Sequence, residues 1–156
     1  MMLLFRGGDS KDDSSGTRDI IDGGPGVNIL TGHAGNDYFV LWLDIASGSN
    51  EYDVVTNYER GSRSTADKIR IEQPEGVTYS RSGQTIIDGD GTVIVRWVQE
   101  DASSLSTAAG SSTNDATTND TVIYHANETA DTGDDWVLMV LEDMTSSLAG
   151  SQFDII

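Results

Sequence analysis

Two adjacent nine-residue segments, 23–31 and 32–40, carry the residues best suited to metal chemistry. Each opens with a glycine-rich turn, has Asn or Asp at its sixth position and a large apolar residue at its eighth. Calcium is a hard cation that takes about six to eight oxygen ligands, which carboxylates and the backbone carbonyls of glycine turns can supply. The spacing therefore predicts calcium-binding turns that alternate with very short strands. The alternative is that the glycines only form β-turns, one of which Asp37 caps.

The segments read Gly-Gly-Pro-Gly-Val-Asn-Ile-Leu-Thr and Gly-His-Ala-Gly-Asn-Asp-Tyr-Phe-Val. This pattern resembles the nonapeptide of the hemolysin-type calcium-binding (RTX) repeat family, with Asn28 where the family prefers Asp and His33 at the second glycine. A degenerate copy lies upstream, where an acidic insertion after Gly8 is followed by residues 16–21. The resemblance implies a parallel β-roll fold, Ca2+ as the bound ion and export from the cell.

In that family's β-roll, one coil takes two segments, so turns two segments apart stack on the same side. The resemblance therefore implies that Asp19 and Asp37 lie at stacked turns, with Asn28 on the opposite side. The stretch around Asp53 and Asp67 resembles the segment that closes β-rolls in secreted metalloproteases and in alginate epimerases, so these residues are expected at a last calcium site or as turn caps. The predicted metal ligands are Asp19, Gly23, Gly24, Gly26, Asn28, Gly32, Ala34, Gly35, Asp37, Asp53 and Asp67.

The strand pattern predicts an all-β fold, in which a short parallel β-roll is followed by antiparallel, sandwich-like strands. Residues 1–45 are predicted to form the calcium-binding repeats, and residues 46–156 the strands that close the roll within a single compact domain. A Ser- and Thr-rich loop is predicted at 102–118. β-Branched residues on both sides of Asp88-Gly-Asp-Gly91 predict a hairpin. The apolar residues expected at the inward strand positions are Phe5, Ile21, Leu30 and Phe39.

The charge of the chain limits its partners. With 26 acidic and 9 basic residues it has a formal net charge of -17, and it lacks the basic footprint by which proteins bind nucleic acid. So acidic a chain repels itself, and bound calcium is expected to contribute to its folding stability. The absence of cysteine excludes disulfides and thiolate metal sites. No apolar run is long enough to span a bilayer, so membrane insertion is not expected either.

Catalytic groups are sparse. The chain has two histidines, His33 in a glycine-rich turn and His125 on a predicted strand, and it has no H-E-x-x-H, G-x-S-x-G or phosphate-binding motif. We therefore do not expect an enzyme. Trp42, Trp97 and Trp136 suit either stacking on a sugar ring or packing in a core or an interface.

The residues Phe153-Asp154-Ile155-Ile156 resemble the C-terminal signal of type I secretion substrates, although they also suit a last edge strand. Together with the repeats they predict an extracellular or cell-surface protein. Because no enzyme motif accompanies the repeats, we expect a structural protein that self-assembles, as a homo-oligomer or polymer, into a filament, surface layer or virion component. The alternative is a stand-alone accessory module that binds polysaccharide or assists a separate secreted enzyme.

Overall fold

A computed structural model describes residues 2–6, 18–33, 35–43, 52–60, 66–100, 120–126, 135–142, 144 and 147–156. Over these ranges the chain is all-β, as predicted; the loop predicted at 102–118 and the side chain of Phe5 lie outside the description. The elements are β1 (Met2–Arg6), β2 (Ile20–Ile21), β3 (Val27–Thr31), β4 (Tyr38–Val40), β5 (Asp53–Val55), β6 (Lys68–Ile71), β7 (Ser80–Ser82), β8 (Thr85–Ile87), β9 (Val93–Glu100), β10 (Asp120–His125), β11 (Trp136–Leu141), the 3-10 helix η1 (Gly150–Gln152) and β12 (Phe153–Ile155). No helix in the described ranges has the length and apolar character needed to cross a membrane.

The first six strands alternate between two parallel sheets, which is the arrangement of a β-roll. β1, β3 and β5 are neighbours in sheet A, and β2, β4 and β6 are neighbours in sheet B. The register keeps the repeats in phase, because Leu30 pairs with Val55 in sheet A while Phe39 pairs with Ile21 and Ile69 in sheet B. The predicted parallel roll is confirmed, and its pairing continues through β6, beyond residue 45.

The antiparallel strands extend sheet A rather than form a separate layer. β11 pairs in parallel with β5, and β10, β9, β8 and β7 follow it in antiparallel order, which gives sheet A eight strands within the described residues. β12 adds to sheet B in parallel with β6. The predicted hairpin is confirmed as β8–β9. Asp88 holds its turn, since Oδ1 accepts the N–H groups of Asp90 at 3.0 Å and Thr92 at 2.9 Å.

The core lies between the two sheets, and residues predicted at inward positions help to build it. Leu30 and Phe39 are 0% exposed and Ile21 is 5% exposed. Further along, the ring of Trp97 packs on that of Phe153 with centroids 4.4 Å apart. Burial of each large apolar side chain stabilises the fold by about 1.5–3 kcal/mol. The stacked coils and the closing strands therefore share one core, although they differ in strand direction.

The outer faces of the two sheets differ. On the outer face of sheet A, Val54, Val122 and Val140 are buried in a second apolar cluster. On the outer face of sheet B, Ile20 is 60% exposed and Trp42 is 47% exposed. Sheet A is thus covered on both sides around β5, β10 and β11, whereas sheet B presents apolar side chains to solvent.

Candidate metal centre

Two sets of polar side chains stack where the strands of the roll begin. In sheet B the residues directly before β2, β4 and β6 are Asp19, Asp37 and Asp67, which we call the Asp column. In sheet A, Asn28 of β3 and Asp53 of β5 occupy equivalent register positions, and we call them the Asn–Asp pair. Asp19 and Asp37 are therefore neighbours, as predicted, and Asn28 lies at the other set of turns.

Within the Asp column, the second and third carboxylates each accept the backbone N–H of the Asp residue one coil earlier. Asp37 Oδ1 accepts the N–H of Asp19 at 3.1 Å, and Asp67 Oδ1 accepts the N–H of Asp37 at 3.0 Å. The other oxygen of Asp67 accepts the N–H of Glu59 at 2.7 Å. Asp37 and Asp67 are only 1% and 0% exposed. The column therefore runs inside the edge of the roll rather than along its surface.

Burial makes the charge of Asp67 costly. Desolvation raises the pKa of Asp67 to about 7, the N–H groups of Glu59 and Asp37 oppose that shift, and the charge of Asp37 adds to it. No ion pair among the described residues involves Asp67. A buried carboxyl group in this position is stabilised either by a proton or by a bound cation.

The Asn–Asp pair satisfies its carboxylate with an amide. Asn28 Nδ2 donates to Asp53 Oδ1 at 2.8 Å and to the carbonyl oxygen of Gly24 at 3.1 Å. Burial raises the pKa of Asp53 to about 7, and the hydrogen bond from Asn28 opposes this shift. The amide oxygen, Asn28 Oδ1, is buried and has no hydrogen-bond partner within the described ranges. The amide nitrogen thus lies between two oxygen atoms and donates a hydrogen bond to each. A cation in the same place would interact favourably with the same two oxygens.

Glycine is required where the backbone approaches these polar groups. A Cβ atom on Gly23 would lie 2.8 Å from both Asn28 Nδ2 and Asp53 Oδ1. A Cβ atom on Gly32 would lie 2.4 Å from Asp37 Oδ2. Both distances are too short for a real Cβ contact, so the first glycine of each nonapeptide keeps open the space that its stacked side chains occupy.

The remaining predicted ligands of the nonapeptides are turn residues. Gly24, Gly26 and Gly35 have positive φ angles of 67°, 105° and 143°, which glycine adopts without strain. His33, at the second glycine position of its repeat, also has a positive φ of 63°. Ala34 lies outside the described residues.

The structure places Asp53 and Asp67 in different sets of turns, although the sequence suggested a shared last site. Asp53 contacts Asn28 in sheet A, whereas Asp67 accepts hydrogen bonds from Asp37 and Glu59 beside sheet B. The reason is that the chain crosses from one sheet to the other between β5 and β6. Each of the two residues therefore contacts a polar residue of an earlier repeat.

Two asparagines that the sequence reasoning missed also tie stacked turns together. Asn57 Oδ1 accepts the N–H of Gly32 at 2.9 Å, and its Nδ2 donates to the carbonyl of His33 at 3.1 Å. Asn36 Nδ2 donates to the carbonyl oxygen of Ala66. Asn57 lies between Asp53 and Asp67 in the stretch that resembles a roll-closing segment, and this position was the one available signal.

The donor atoms at both sites are carboxylate, amide and carbonyl oxygens, which suit Ca2+ rather than a softer metal. Within the described residues no group of three or more His, Cys, Asp or Glu side chains is arranged to hold a metal ion. A calcium ion at the Asp column would therefore need backbone carbonyls of the glycine turns to complete its coordination. This is the division of ligands that the glycine-rich spacing predicts.

Comparison with known proteins finds no match among family models, curated proteins or solved structures. The functional interpretation of the chain therefore depends on the geometry of its own turns.

Proposed function

We propose that this chain is a secreted calcium-binding structural protein, in which Ca2+ at the stacked turns holds the short β-roll together. The observation that carries the proposal is Asp67, a carboxyl group that is 0% exposed and lies one coil from Asp37. Its pKa of about 7 means that burial without a cation favours the protonated form. A bound Ca2+ would instead stabilise the charged form and the fold together.

The neutral hydrogen bonds in the neighbouring turns support calcium binding over simple turn capping. Asn57 and Asn36 connect stacked turns through amides, and neither brings a charge into the roll. Capping alone therefore does not require buried carboxylates such as Asp37 and Asp67. A role in cation binding accounts for the cost of placing them there.

The ligands that we propose for the Asp column are Asp19, Asp37 and Asp67 with the carbonyls of Gly32, Ala34 and Gly35. The Asn–Asp pair, with the carbonyls of Gly23, Gly24 and Gly26, is a second candidate site. Its amide already satisfies the carboxylate of Asp53, so we expect weaker calcium binding there.

Self-assembly outside the cell is the proposed use of the locked roll. The described part of sheet B ends in the edge strands β2 and β12, and sheet A ends in β1 and β7. Edge strands offer backbone N–H and C=O groups to another chain, and parallel coils are suited to stacking in series. A homo-oligomer or polymer in a filament, surface layer or virion component is the form that we propose.

Calcium titration of the wild type, Asp67→Asn and Asp90→Asn tests the metal site. Asp90 lies in the exposed turn of the β8–β9 hairpin, so its substitution makes the same change in charge away from the roll. We expect calcium, but not magnesium at the same ionic strength, to stabilise the wild type by about 2.7 kcal/mol when free calcium is about 100 times Kd. Asp90→Asn should keep this gain and Asp67→Asn should lose most of it.

The readout is the difference in unfolding free energy between calcium and chelator for each variant, so a general loss of stability in Asp67→Asn does not affect the conclusion. Equal gains in all three proteins, or equal effects of magnesium and calcium, would contradict the proposed site. Light scattering and electron microscopy of the calcium-loaded wild type test assembly separately. A monodisperse monomer would refute the proposed assembly but would not contradict the proposed metal site.

A further inference from the structure

A cleft of about 370 Å³ lies over the outer face of sheet B, and its lining reaches Asp22 beside a turn of the roll. Its volume is within the range of sites that bind small molecules. Its lining includes Ile20, Val40, Trp42, Arg70, Glu72 and Tyr79. The cleft thus combines two aromatic rings and aliphatic side chains with charged groups of both signs.

Trp42 is exposed and at the same time held in place. Its indole is 47% exposed, whereas Trp97 is 1% exposed and packs in the core. Trp42 Nε1 donates to Asp22 Oδ1 at 2.7 Å, and the same oxygen accepts the N–H of Gly24 at 2.9 Å. This carboxylate connects the indole to a turn of the roll, so the ring is oriented before any ligand arrives.

The polar groups of the cleft are also oriented. Arg70 Nε and Nη2 donate to Asp154 Oδ2 at 3.0 and 2.8 Å, and the guanidinium lies 4.3 Å from the ring centroid of Tyr38. Glu72 is exposed at the rim. A ligand in the cleft would therefore meet an apolar platform with hydrogen-bonding groups beside it.

We propose that this cleft binds a neutral saccharide, with one sugar ring stacked on Trp42 and hydroxyl groups bonded to Glu72, Asp22 and Arg70. The indole N–H is already used by Asp22, so Trp42 offers a ligand its ring face, and an apolar sugar face needs no more than that. The carboxylates of Asp22 and Glu72 outnumber the one arginine, which already pairs with Asp154. This charge balance, in a chain of net charge -17, disfavours an anionic sugar.

A proline-rich peptide is the other ligand that aromatic clefts accept. Such a peptide has carbonyl groups that require hydrogen-bond donors. In this cleft the indole N–H and two guanidinium nitrogens already donate to carboxylates. The surplus of acceptors fits hydroxyl donors better, and hydroxyl groups are what a saccharide supplies.

Isothermal titration and tryptophan emission with neutral oligosaccharides test the proposal at constant calcium. The probes are gluco-, manno- and N-acetylglucosamine hexamers, with an oligouronate and a proline-rich peptide for comparison. We expect at least one neutral hexamer to bind the wild type, and Trp42→Ala to weaken it about tenfold or more. Trp42→Phe, which keeps an aromatic face without the N–H, should retain most of the affinity.

Val77→Ala is the matched control, since Val77 is an apolar residue with 38% exposure that does not line the cleft. It should bind as the wild type does. Because Trp42 lies outside the core, we expect Trp42→Ala to fold. Glu72→Gln, which removes only a charge from an exposed side chain, is a second test variant. It should lower the affinity for the neutral hexamer several-fold. Failure of every neutral hexamer to bind, unchanged binding by Trp42→Ala, or binding of only the oligouronate or the peptide would overturn the proposal.

Discussion

The two edges of the roll place polar residues at the same register position but satisfy them in different ways. In the Asp column, carboxylates stack through three coils, and Asp67 at its end is 0% exposed. In the Asn–Asp pair, one of the two stacked residues is an amide, and its Nδ2 donates directly to Asp53. A single change of residue type, Asn for Asp, thus gives Asp53 a side-chain hydrogen-bond donor that the carboxylates of the Asp column do not give one another.

This difference suggests that the stability of the two edges depends on calcium to different degrees. At the edge with the amide, Asp53 Oδ1 keeps its hydrogen bond from Asn28 whether or not calcium is present. The edge with the carboxylates holds two buried Asp residues one coil apart, so the proposed calcium would act mainly there. Calcium would then stabilise the edge that carries the Asp column, while the Asn–Asp pair keeps the coils in register at the other edge.

The largest change in stability is expected from Asn28→Asp, which gives both edges of the roll stacked carboxyl groups. In chelator this substitution removes the hydrogen bond to Asp53 and places a second carboxyl group beside a buried one, so we expect destabilisation of about 3 kcal/mol or more. In calcium the loss should be much smaller, because a cation can occupy the space between the two carboxylates. Urea unfolding with and without calcium measures both values.

Asp53→Asn is the control for that experiment, because it replaces the other member of the pair and creates no second carboxyl group. It should leave stability in chelator nearly unchanged. If Asn28→Asp is no more sensitive to calcium than the wild type, the amide is not what distinguishes the two edges.

Substitution of the first glycine of a nonapeptide should have a smaller effect. A Cβ on Gly32 would lie 2.4 Å from Asp37 Oδ2, so Gly32→Ala should push the carboxylate out of the column and cost about 1–3 kcal/mol. Gly89→Ala is the matched control, because a Cβ there meets nothing within 4 Å. Thermal unfolding compares the two variants. Equal stabilities would mean that the roll has room for the extra atom and that the glycine spacing is not required by the carboxylates.

A last effect is expected from pH, and calcium should abolish it. Burial raises the pKa of Asp53 and of Asp67 from 3.8 to about 7, so without metal these groups favour folding when protonated. Stability in chelator should therefore fall as pH rises from about 4 to about 7, the interval between the unfolded and folded pKa values of these groups, and should level off above it. With saturating calcium the profile should be nearly flat from about pH 5 to about pH 8, because the ion keeps both carboxylates charged in the folded protein, as they are in the unfolded chain.

Repulsion across so acidic a chain acts in the same direction as these two groups in chelator. Asp53→Asn and Asp67→Asn separate the contributions, since each should flatten the pH profile in proportion to its own site. A profile identical to the wild type in both variants would assign the pH dependence to general charge repulsion. Chemical denaturation at a series of pH values provides the measurement.

The nonapeptide spacing was sufficient to predict the stacking of Asp19 on Asp37 and the burial of Leu30 and Phe39, because these follow from counting along a regular repeat. The partner of Asn28 was not predictable in this way. Asp53 lies 25 residues further along the chain, in a stretch with no glycine repeat to set the count. Asn57 was missed for the same reason, since its contact with Gly32 joins two coils of different length.

The tryptophans show a second limit of the sequence. Trp42, Trp97 and Trp136 all stand in strand-like apolar contexts, which do not distinguish a core residue from an exposed one. The packing of Trp97 on Phe153 and the connection of Trp42 to Asp22 depend on strands far apart in the chain. The cleft beside Trp42 therefore becomes visible only once sheet B has been assembled.

The sequence by itself determined the short strands, the glycine turns and the residue types able to bind a hard cation, because a nine-residue period imposes local geometry on every repeat. Only the tertiary structure decided which polar residues meet across the coils, and that the closing strands continue sheet A. These depend on the register of hydrogen bonds between strands separated by irregular insertions, and no local pattern encodes that register. The separation of Asp53 from Asp67, one at each edge of the roll, is the clearest case.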